Sequence, residues 1–242
     1  MPRYFIEVSY KGTAYSGFQV QQNANSVQAE IEKALKILFR EDIALTGSSR
    51  TDAGVHALQN FFHFDSVVPV DDASYQLNAI LPDDIVIKRI TAVQADAHCR
   101  FDAIAREYRY YIYHKKDPFI EDRAYYYPYT LDLDMMNKAA KEIMQHINFS
   151  SFSKRNTQVK SFLCTIVASE WLVENDCLVF TVKANRFLRG MVKGLVGTML
   201  QVGRGKLSLQ EFRSIIEAKD SSKALFLYCS RKGHTRLSNT PY

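Results

Sequence analysis

The sequence predicts a mixed α+β protein with two similar halves, and three observations lead to this class. Each half begins with a β-rich segment, at residues 4–10 and 106–114. Each continues with an amphipathic helix whose apolar residues recur at i, i+4, i+7, i+8 and i+11, from Val27 and from Met136. This is the spacing of one buried helix face. Two strand-like segments follow each helix, so two strand-helix-strand-strand halves are the simplest interpretation.

The first half has recognisable start signals for its helix and its later strands. Asn25-Ser26-Val27-Gln28 predicts a helix start, with Gln28 in the capping-box position. Strands are expected at residues 43–46 and 58–64. They flank the loop 47–54, which is rich in polar residues and glycine.

The second half is predicted to contain a hairpin and two helices. The first helix is expected at residues 133–147, and the hairpin strands at 165–174 and 177–184, turning at Asn175-Asp176. A further helix is expected over residues 185–202. No linker rich in Pro, Gly or Ser marks a boundary. The domains are placed at 1–104 and 105–242 only because the second strand-helix-strand-strand half begins just after residue 104.

Composition indicates a soluble globular protein and does not identify a partner. At 242 residues and 47% hydrophobic composition, the chain can bury a sizeable core. The formal net charge of +5 is compatible with a polyanionic partner but does not identify one. The opening residues contain no long apolar stretch, so neither a signal peptide nor a membrane segment is expected. We therefore expect a cytoplasmic location.

Cysteine and histidine spacing gives no indication of a metal site. None of Cys99, Cys164, Cys177 and Cys229 forms a Cys-x-x-Cys pair, and none has a histidine at zinc-finger spacing. His63 is poorly spaced from His56 for a metal pair. Neither a bound metal nor a disulfide framework is expected.

The loop at residues 50–56 combines Arg50, Asp52, Gly54 and His56 between two expected strands. Such loops often hold active sites. They are also often simple turns, because Asp caps backbone N–H groups and Gly tolerates positive φ. Spacing alone favours the turn, and it favours a packed or capping role for His56.

The strand at 106–114 belongs to an aromatic-rich segment that could bind nucleic acid. Strand alternation places Arg106 and Tyr108 on one face and Arg109 and Tyr111 on the other. Arg beside Tyr could clamp a base, since aromatic stacking contributes about 1–3 kcal/mol per base. An ordinary sheet, in which Tyr is a favoured residue, is the better interpretation for most of these tyrosines.

The expected helix at 185–202 has a basic side, an apolar side and several glycines. The basic side consists of Arg186, Arg189 and Lys193. A glycine inside a helix costs about 1 kcal/mol relative to alanine, so Gly194 and Gly197 suggest a close approach. The approaching group is a substrate or catalytic carboxylate in one interpretation and a packed sheet in the other.

Several segments together resemble the tRNA pseudouridine synthase A family over most of the chain. The most specific is Arg50-Thr51-Asp52-Ala53-Gly54-Val55-His56-Ala57. Supporting segments lie at residues 15–23, 98–103, 105–110 and 185–197. The chain departs from the family pattern by having Phe18 in place of Trp, Ser49 in place of Gly and Lys193 in place of the more frequent Arg.

The resemblance implies residue roles. Asp52 corresponds to the essential catalytic carboxylate, Tyr108 would contact the target uracil, and Lys193 would pair with Asp52. Whether Asp52 attacks the sugar, attacks the base or removes a sugar proton stays open. The residues expected to bind the substrate are Arg50, Tyr108, Arg106, Arg109, Arg186, Arg189 and Gln19.

The resemblance also implies a fold, a substrate and an assembly. The fold would be two similar ferredoxin-like domains around an extended, mainly antiparallel sheet with a central catalytic cleft. The enzyme would isomerise uridines 38, 39 and 40 in the anticodon stem-loop of tRNAs without a cofactor, as a homodimer. The rivals are a non-catalytic RNA-binding module and a nucleoside glycosidase, which usually needs a second acid.

Overall fold

The computed structural model describes the chain except residues 69, 71–72, 156–158, 228–234 and 241–242, and only the backbone of residues 235–240. Helices and strands occur together, so the predicted α+β class is confirmed. In chain order, the strands are β1 (Arg3–Tyr10), β2 (Thr46–Gly47), β3 (His56–Asp65), β4 (Ile85–Val93), β5 (Ala105–Tyr113), β6 (Tyr125–Tyr126), β7 (Ile166–Glu174), β8 (Cys177–Ala184) and β9 (Thr235–Thr240). The helices of the described part are α1 (Val27–Phe39), α2 (Ser74–Ile80), α3 (Leu133–Ile143), α4 (Met191–Gly203) and α5 (Leu209–Glu217).

The chain divides into two compact units. The first contains Met1–Ile104 together with Arg231–Tyr242, and the second contains Ala105–Ser230. The C-terminal segment therefore belongs to the first unit, whereas the sequence-based division placed it in the second. Backbone pairing gives the reason, because β9 pairs in parallel with β3.

In the first unit, β1 lies between β3 and β4 and pairs antiparallel with both. Helix α1 begins after Ser26, whose side chain accepts a hydrogen bond from the Ala29 N–H at 3.2 Å. Gln28 is therefore not the capping-box residue. Its side-chain N–H groups instead donate to the Leu45 carbonyl at 2.9 Å and to Glu32.

The strand expected at residues 43–46 is largely absent, because β2 is confined to Thr46–Gly47. Leu45 has its backbone groups occupied by α1 instead of by a neighbouring strand. Its N–H donates to the Glu32 carboxylate at 2.9 Å, and its carbonyl accepts from Gln28. The apolar pattern there reflects a buried connection and not a ladder.

In the second unit, β8 lies between β5 and β7 and pairs antiparallel with both. The predicted hairpin is confirmed: Asn175 and Asp176 have φ of 46° and 61°, the left-handed values that a two-residue hairpin turn needs. Helix α3 starts as predicted but ends at Ile143 and not at Ile147, whose carbonyl accepts a bond from the Cys164 N–H. The core of this unit includes Trp171 and Phe180, whose ring centroids lie 4.9 Å apart with the planes tilted by 32°.

Among the residues that the structure describes, no helix combines the length and the apolar character required to cross a bilayer.

Candidate active site

The loop between β2 and β3 presents Arg50 and Asp52 to solvent while the intervening residue is buried. Thr51 is 7% exposed, and its hydroxyl lies 2.8 Å from the Tyr10 hydroxyl on β1. The Thr51 carbonyl accepts a hydrogen bond from the Phe18 N–H at 3.1 Å. These two contacts hold Thr51 in place and so fix the backbone between Arg50 and Asp52.

A buried asparagine holds the start of the same loop. Asn60 on β3 is fully buried, and its side chain donates to the Ser49 carbonyl at 3.0 Å and to the Tyr10 hydroxyl at 3.3 Å. Its side-chain oxygen accepts from the Ser49 N–H at 3.3 Å. A buried polar side chain with several partners fixes geometry more strictly than an apolar contact.

The end of the loop is fixed by His56 and Gly12. The Gly12 N–H donates to Nδ1 of the buried His56 at 3.0 Å, so His56 has a structural role, as predicted. A Cβ atom at Gly12 would lie 2.1 Å from the Val55 carbonyl oxygen. Only glycine permits this close approach of the two backbones.

The segment that contains Gln19 packs beside the loop. Phe18 is buried and stacks on Phe62 with ring centroids 4.3 Å apart, while the adjacent Gln19 is exposed. Nearby, burial and a 2.5 Å hydrogen bond to Asp84 raise the pKa of Tyr15 well above its usual range. Tyr15 therefore remains a neutral donor at physiological pH.

Alternation along β5 separates the candidate residues of the second unit into two faces. Tyr108 is half-buried and meets Phe187 edge to face, with ring centroids 5.0 Å apart. Arg106, on the same face, donates to the Asn185 carbonyl at 3.0 Å. The arginine and the tyrosine are therefore both held against residues 185–187.

Arg109 lies on the opposite face of β5. Its guanidinium forms an ion pair with both carboxylate oxygens of Glu174 and lies 5.5 Å from the centre of the Tyr111 ring. One guanidinium nitrogen contacts both oxygens, so this is a structural contact between β5 and β7 but not the two-nitrogen bidentate arrangement. Arg109, one of the residues expected to bind substrate, therefore also has a structural partner within its own unit.

The helix expected over residues 185–202 is wrong in its first part, because α4 begins only at Met191. Gly190, immediately before it, has a φ of +78°, a left-handed value that cannot continue a right-handed helix. Arg186 and Arg189 consequently lie in the loop before α4 and not on a shared helix face with Lys193. The Arg189 carbonyl accepts a hydrogen bond from the Lys154 N–H at 2.8 Å.

Two glycines of α4, Gly194 and Gly197, accommodate the chain segment that follows α5 and not a substrate. A Cβ atom at Gly197 would lie 2.0 Å from the Leu225 carbonyl oxygen, and one at Gly194 would lie 3.0 Å from the Phe226 ring. The Leu225 N–H also donates to the Thr198 hydroxyl at 3.1 Å. The close approach inferred from sequence is real, and the interpretation that a ligand occupies it is corrected.

Lys193 lies in the first turn of α4 and is half-buried. That end of a helix carries partial positive charge, so a cation there is disfavoured by about 0.3–1 kcal/mol at an exposed site. The first turn of α4, which is described completely, contains no acidic residue. With Arg186 and Arg189 just before it, this end of α4 attracts negatively charged groups.

Comparison with known proteins identifies the family. A family model described as tRNA pseudouridine synthase matches residues 6–102 and again residues 139–235. A tRNA pseudouridine synthase A from Parabacteroides distasonis is 47% identical over 227 residues, covering 93% of this chain and 90% of that protein. The corresponding protein of Bacteroides thetaiotaomicron is 46% identical, with 93% and 85% covered. The Staphylococcus aureus N315 protein is 36% identical, with the same coverage.

The chain belongs to the tRNA pseudouridine synthase family. Pseudouridine synthases are isomerases, so the resemblance inferred from the motifs and the enzyme class are both confirmed. The repeated match of the family model agrees with the two similar halves read from the sequence.

Sequence reasoning missed the residues that position the Asp52 loop of this pseudouridine synthase. Tyr10 was read only as part of a strand, although its hydroxyl contacts Thr51 and Asn60. Asn60 carried a usable signal, because it directly precedes the apolar pair Phe61-Phe62 in its strand and a buried amide needs hydrogen-bond partners.

Sequence reasoning also missed a cluster of His63, His98 and Cys99. Their potential metal-ligand atoms all lie within 4.8 Å of one another. The expectation of no metal was based on cysteine spacing, on the lack of a histidine at zinc-finger spacing and on the pair His56 and His63. The strand fold brings His63 next to residues far away in sequence, and no short-spacing rule detects such a pair.

Proposed function

We propose that this chain converts uridine to pseudouridine in tRNA, with Asp52 as the catalytic carboxylate. One observation carries the assignment: in a member of this family, buried contacts fix the loop before and after Asp52 while Asp52 itself is exposed. A catalytic group must be held within a fraction of an ångström and must still reach substrate. The Asp52 loop meets both requirements.

The reaction breaks the bond between N1 of uracil and C1′ of the sugar, turns the base, and joins C5 to the same carbon. The hydrogen on C5 leaves as a proton and N1 gains one, so the formula does not change. The enzyme needs an ionised carboxylate and a surface that holds the base. A nearby cation favours the ionised carboxylate, and Lys193 is the residue assigned to that role.

Binding of tRNA would use the positive end of α4 together with the base-contacting face of β5. Arg186, Arg189 and Lys193 surround the helix N-terminus, where backbone N–H groups and the helix dipole attract phosphate. Tyr108 would stack on or position the uracil, with Arg106 beside it. Arg50 and Gln19 would contact the flipped nucleotide, whose extraction costs a few kcal/mol.

The finer parts of the proposal concern the site on tRNA and the assembly. The uridines would be those at positions 38, 39 and 40 of the anticodon stem-loop, and the enzyme would be a cytoplasmic homodimer. The fold would be the ferredoxin-like pair of domains that the resemblance implies. Mapping the product positions in tRNA and measuring the mass in solution by sedimentation test these parts separately.

The test uses unmodified tRNA labelled with tritium at C5 of uridine. Wild-type protein should release label, because substitution at C5 displaces that hydrogen. Asp52→Asn should retain tRNA binding and lower release by at least roughly a thousandfold, the scale at which loss of a reacting group acts. Asp42→Asn is the matched control, since Asp42 is an exposed surface acid that forms an ion pair with Lys36 at 2.7 Å.

Each rival gives a different result in this assay. A nucleoside glycosidase would produce free uracil without releasing tritium, and an RNA-binding module would bind tRNA with neither product. Full activity of Asp52→Asn would refute the assignment of the carboxylate.

A further inference from the structure

We propose that His63, His98 and Cys99 form a zinc site in the first unit. His63 lies on β3, and His98 and Cys99 lie in the segment after β4. Their potential ligand atoms lie within 4.8 Å of one another, and two of the three residues are buried. The site is independent of the proposed function, because none of the three residues has a role in it.

The geometry of the cluster is close to that of a tetrahedral zinc centre. His63 Nδ1 lies 3.2 Å from the Cys99 sulfur. Zinc bonds of about 2.0–2.1 Å to nitrogen and 2.3 Å to sulfur, at a tetrahedral angle, place these two atoms about 3.5 Å apart. The pair therefore has to separate by only about 0.3 Å, within the tolerance of side-chain adjustment.

The chemistry of the three ligands selects the kind of metal. One thiolate with two imidazoles suits zinc or copper(I), whereas magnesium and calcium prefer oxygen ligands. Three protein ligands leave one position of a tetrahedron open. His98 is half-buried, so that position is accessible to water on its side of the cluster.

The surrounding residues hold the ligands in place. The Asp102 carboxylate accepts from the His98 backbone N–H at 2.6 Å, and the His98 carbonyl accepts from the N–H groups of Phe101 and Asp102 at 3.0 Å. Register places His63 opposite Phe5 on β1 and opposite Thr46 on β2. Rigid backbone on both sides reduces the ordering cost of binding.

Charge around the cluster is also compatible with a divalent ion. Arg3 and Arg100 are nearby cations. The Arg3 guanidinium is already bonded to Asp65 at 2.8 Å and to the Ala97 carbonyl at 2.9 Å, and the Arg100 guanidinium lies 5.8 Å from the centre of the Phe101 ring. Asp102 adds a negative charge beside His98. The ion and the Cys99 thiolate would together add one positive charge next to that carboxylate.

Metal binding must replace existing hydrogen bonds. The Cys99 thiol donates to the Thr46 carbonyl at 3.2 Å, and the Arg100 N–H donates to His98 Nδ1 at 3.2 Å. Coordination removes the thiol proton. Whether His98 binds the metal through Nδ1 or through Nε2, its Nδ1 can no longer accept the bond from the Arg100 N–H. Each zinc ion therefore releases a proton, and its affinity should rise with pH.

The test is a cobalt titration of the full chain after treatment with a chelator. Tetrahedral cobalt bound to a thiolate gives a charge-transfer absorption in the near ultraviolet, and zinc then displaces it in competition. We expect one cobalt ion per chain with that absorption. Cys99→Ser should abolish the band, whereas Cys177→Ser, the matched change at a buried cysteine outside the cluster, should leave it unchanged.

A second variant removes a nitrogen ligand. His98→Gln should weaken zinc binding by more than about 100-fold, since even residues that only orient a ligand cost 10–100-fold when lost. Circular dichroism without metal checks that both variants fold. If Cys99→Ser does not fold, the zinc affinity of His98→Gln tests the site. A missing band in the wild type, a band that survives Cys99→Ser, or an unchanged zinc affinity of His98→Gln overturns the proposal.

Discussion

The contact between the Tyr10 and Thr51 hydroxyls fixes the residue that precedes Asp52, and its contribution can be measured with a double-mutant cycle. The two oxygens are 2.8 Å apart, and both residues are buried. Tyr10→Phe removes one hydroxyl without changing the ring, and Thr51→Val removes the other with little change in shape. The cycle therefore isolates the pair from the packing around it.

The magnitude follows from which polar atoms lose a partner. Tyr10→Phe removes the Thr51 contact and one acceptor of Asn60, so we expect a loss of about 1–3 kcal/mol in the free energy of unfolding. Thr51→Val leaves the Tyr10 hydroxyl with Asn60 at 3.3 Å, and we expect about 1 kcal/mol. The double variant should cost less than the sum by about 1 kcal/mol, because residues in contact couple at that scale.

Urea unfolding measures the stabilities, and tritium release from labelled tRNA measures turnover. A shift of about 1 Å at a reacting group can lower the rate roughly a hundredfold, so we expect kcat of Tyr10→Phe to fall by about ten- to a hundredfold at unchanged tRNA affinity. Tyr4→Phe on the same strand, where Tyr4 stacks on Phe64, is the control and should retain kcat. Strict additivity in the cycle, or an unchanged kcat of Tyr10→Phe, would refute the reasoning.

Two further predictions concern the second unit. The hydrogen bond from Arg213, with help from His146, lowers the pKa of Glu142 from 4.5 to about 2. Glu142 therefore stabilises the fold fully above pH 4.5 and loses this effect as the pH falls toward 2; because Arg213 is 56% exposed, Glu142→Gln should cost only about 1 kcal/mol in urea unfolding at pH 7. An equal effect at pH 7 and at pH 2 would contradict this. Gly197→Ala should destabilise by at least about 1–2 kcal/mol despite gaining about 1 kcal/mol of helix propensity, because its Cβ would lie 2.0 Å from a backbone oxygen. In the control Gly203→Ala, the atoms nearest to the added Cβ are side-chain atoms of Met136 and Leu131 and not backbone atoms, so we expect a smaller loss of stability in thermal unfolding. Equal losses would show that the backbone around Leu225 moves away without cost.

Local patterns predicted the elements whose causes are local. The helix that buries Val27 and Ile31 shows the 3.6-residue period because one face packs on the core. The hairpin at Asn175-Asp176 was predicted because few other residues accept left-handed φ at both positions. The family motif around Asp52 likewise lies within a short stretch. These features need no knowledge of distant parts of the chain.

The features that sequence reasoning missed depend on residues far apart in the chain. The backbone of Leu45 is hydrogen-bonded to side chains of α1, so a segment with the apolar pattern of a strand forms a connection instead. The contact of Tyr10 with Thr51 depends on the pairing of β1 with β3, and that of His63 with Cys99 depends on the pairing of β1 with both β3 and β4. Periodicity cannot report such contacts, since neither partner changes the pattern around the other.

The first turn of α4 shows why an amphipathic pattern can extend beyond its helix. The apolar and basic residues at 186–190 continue the helical period, yet Gly190 adopts a left-handed φ and the helix starts after it. Periodicity records which side chains are buried, and an extended loop packed on the same core can bury them as well. Because glycine has no side chain, Gly190 does not change the period of apolar and basic residues, and that period does not show where the helix begins. The result places Lys193 at the positive end of α4, where a negatively charged group would offset the unfavourable interaction of the lysine with the helix dipole.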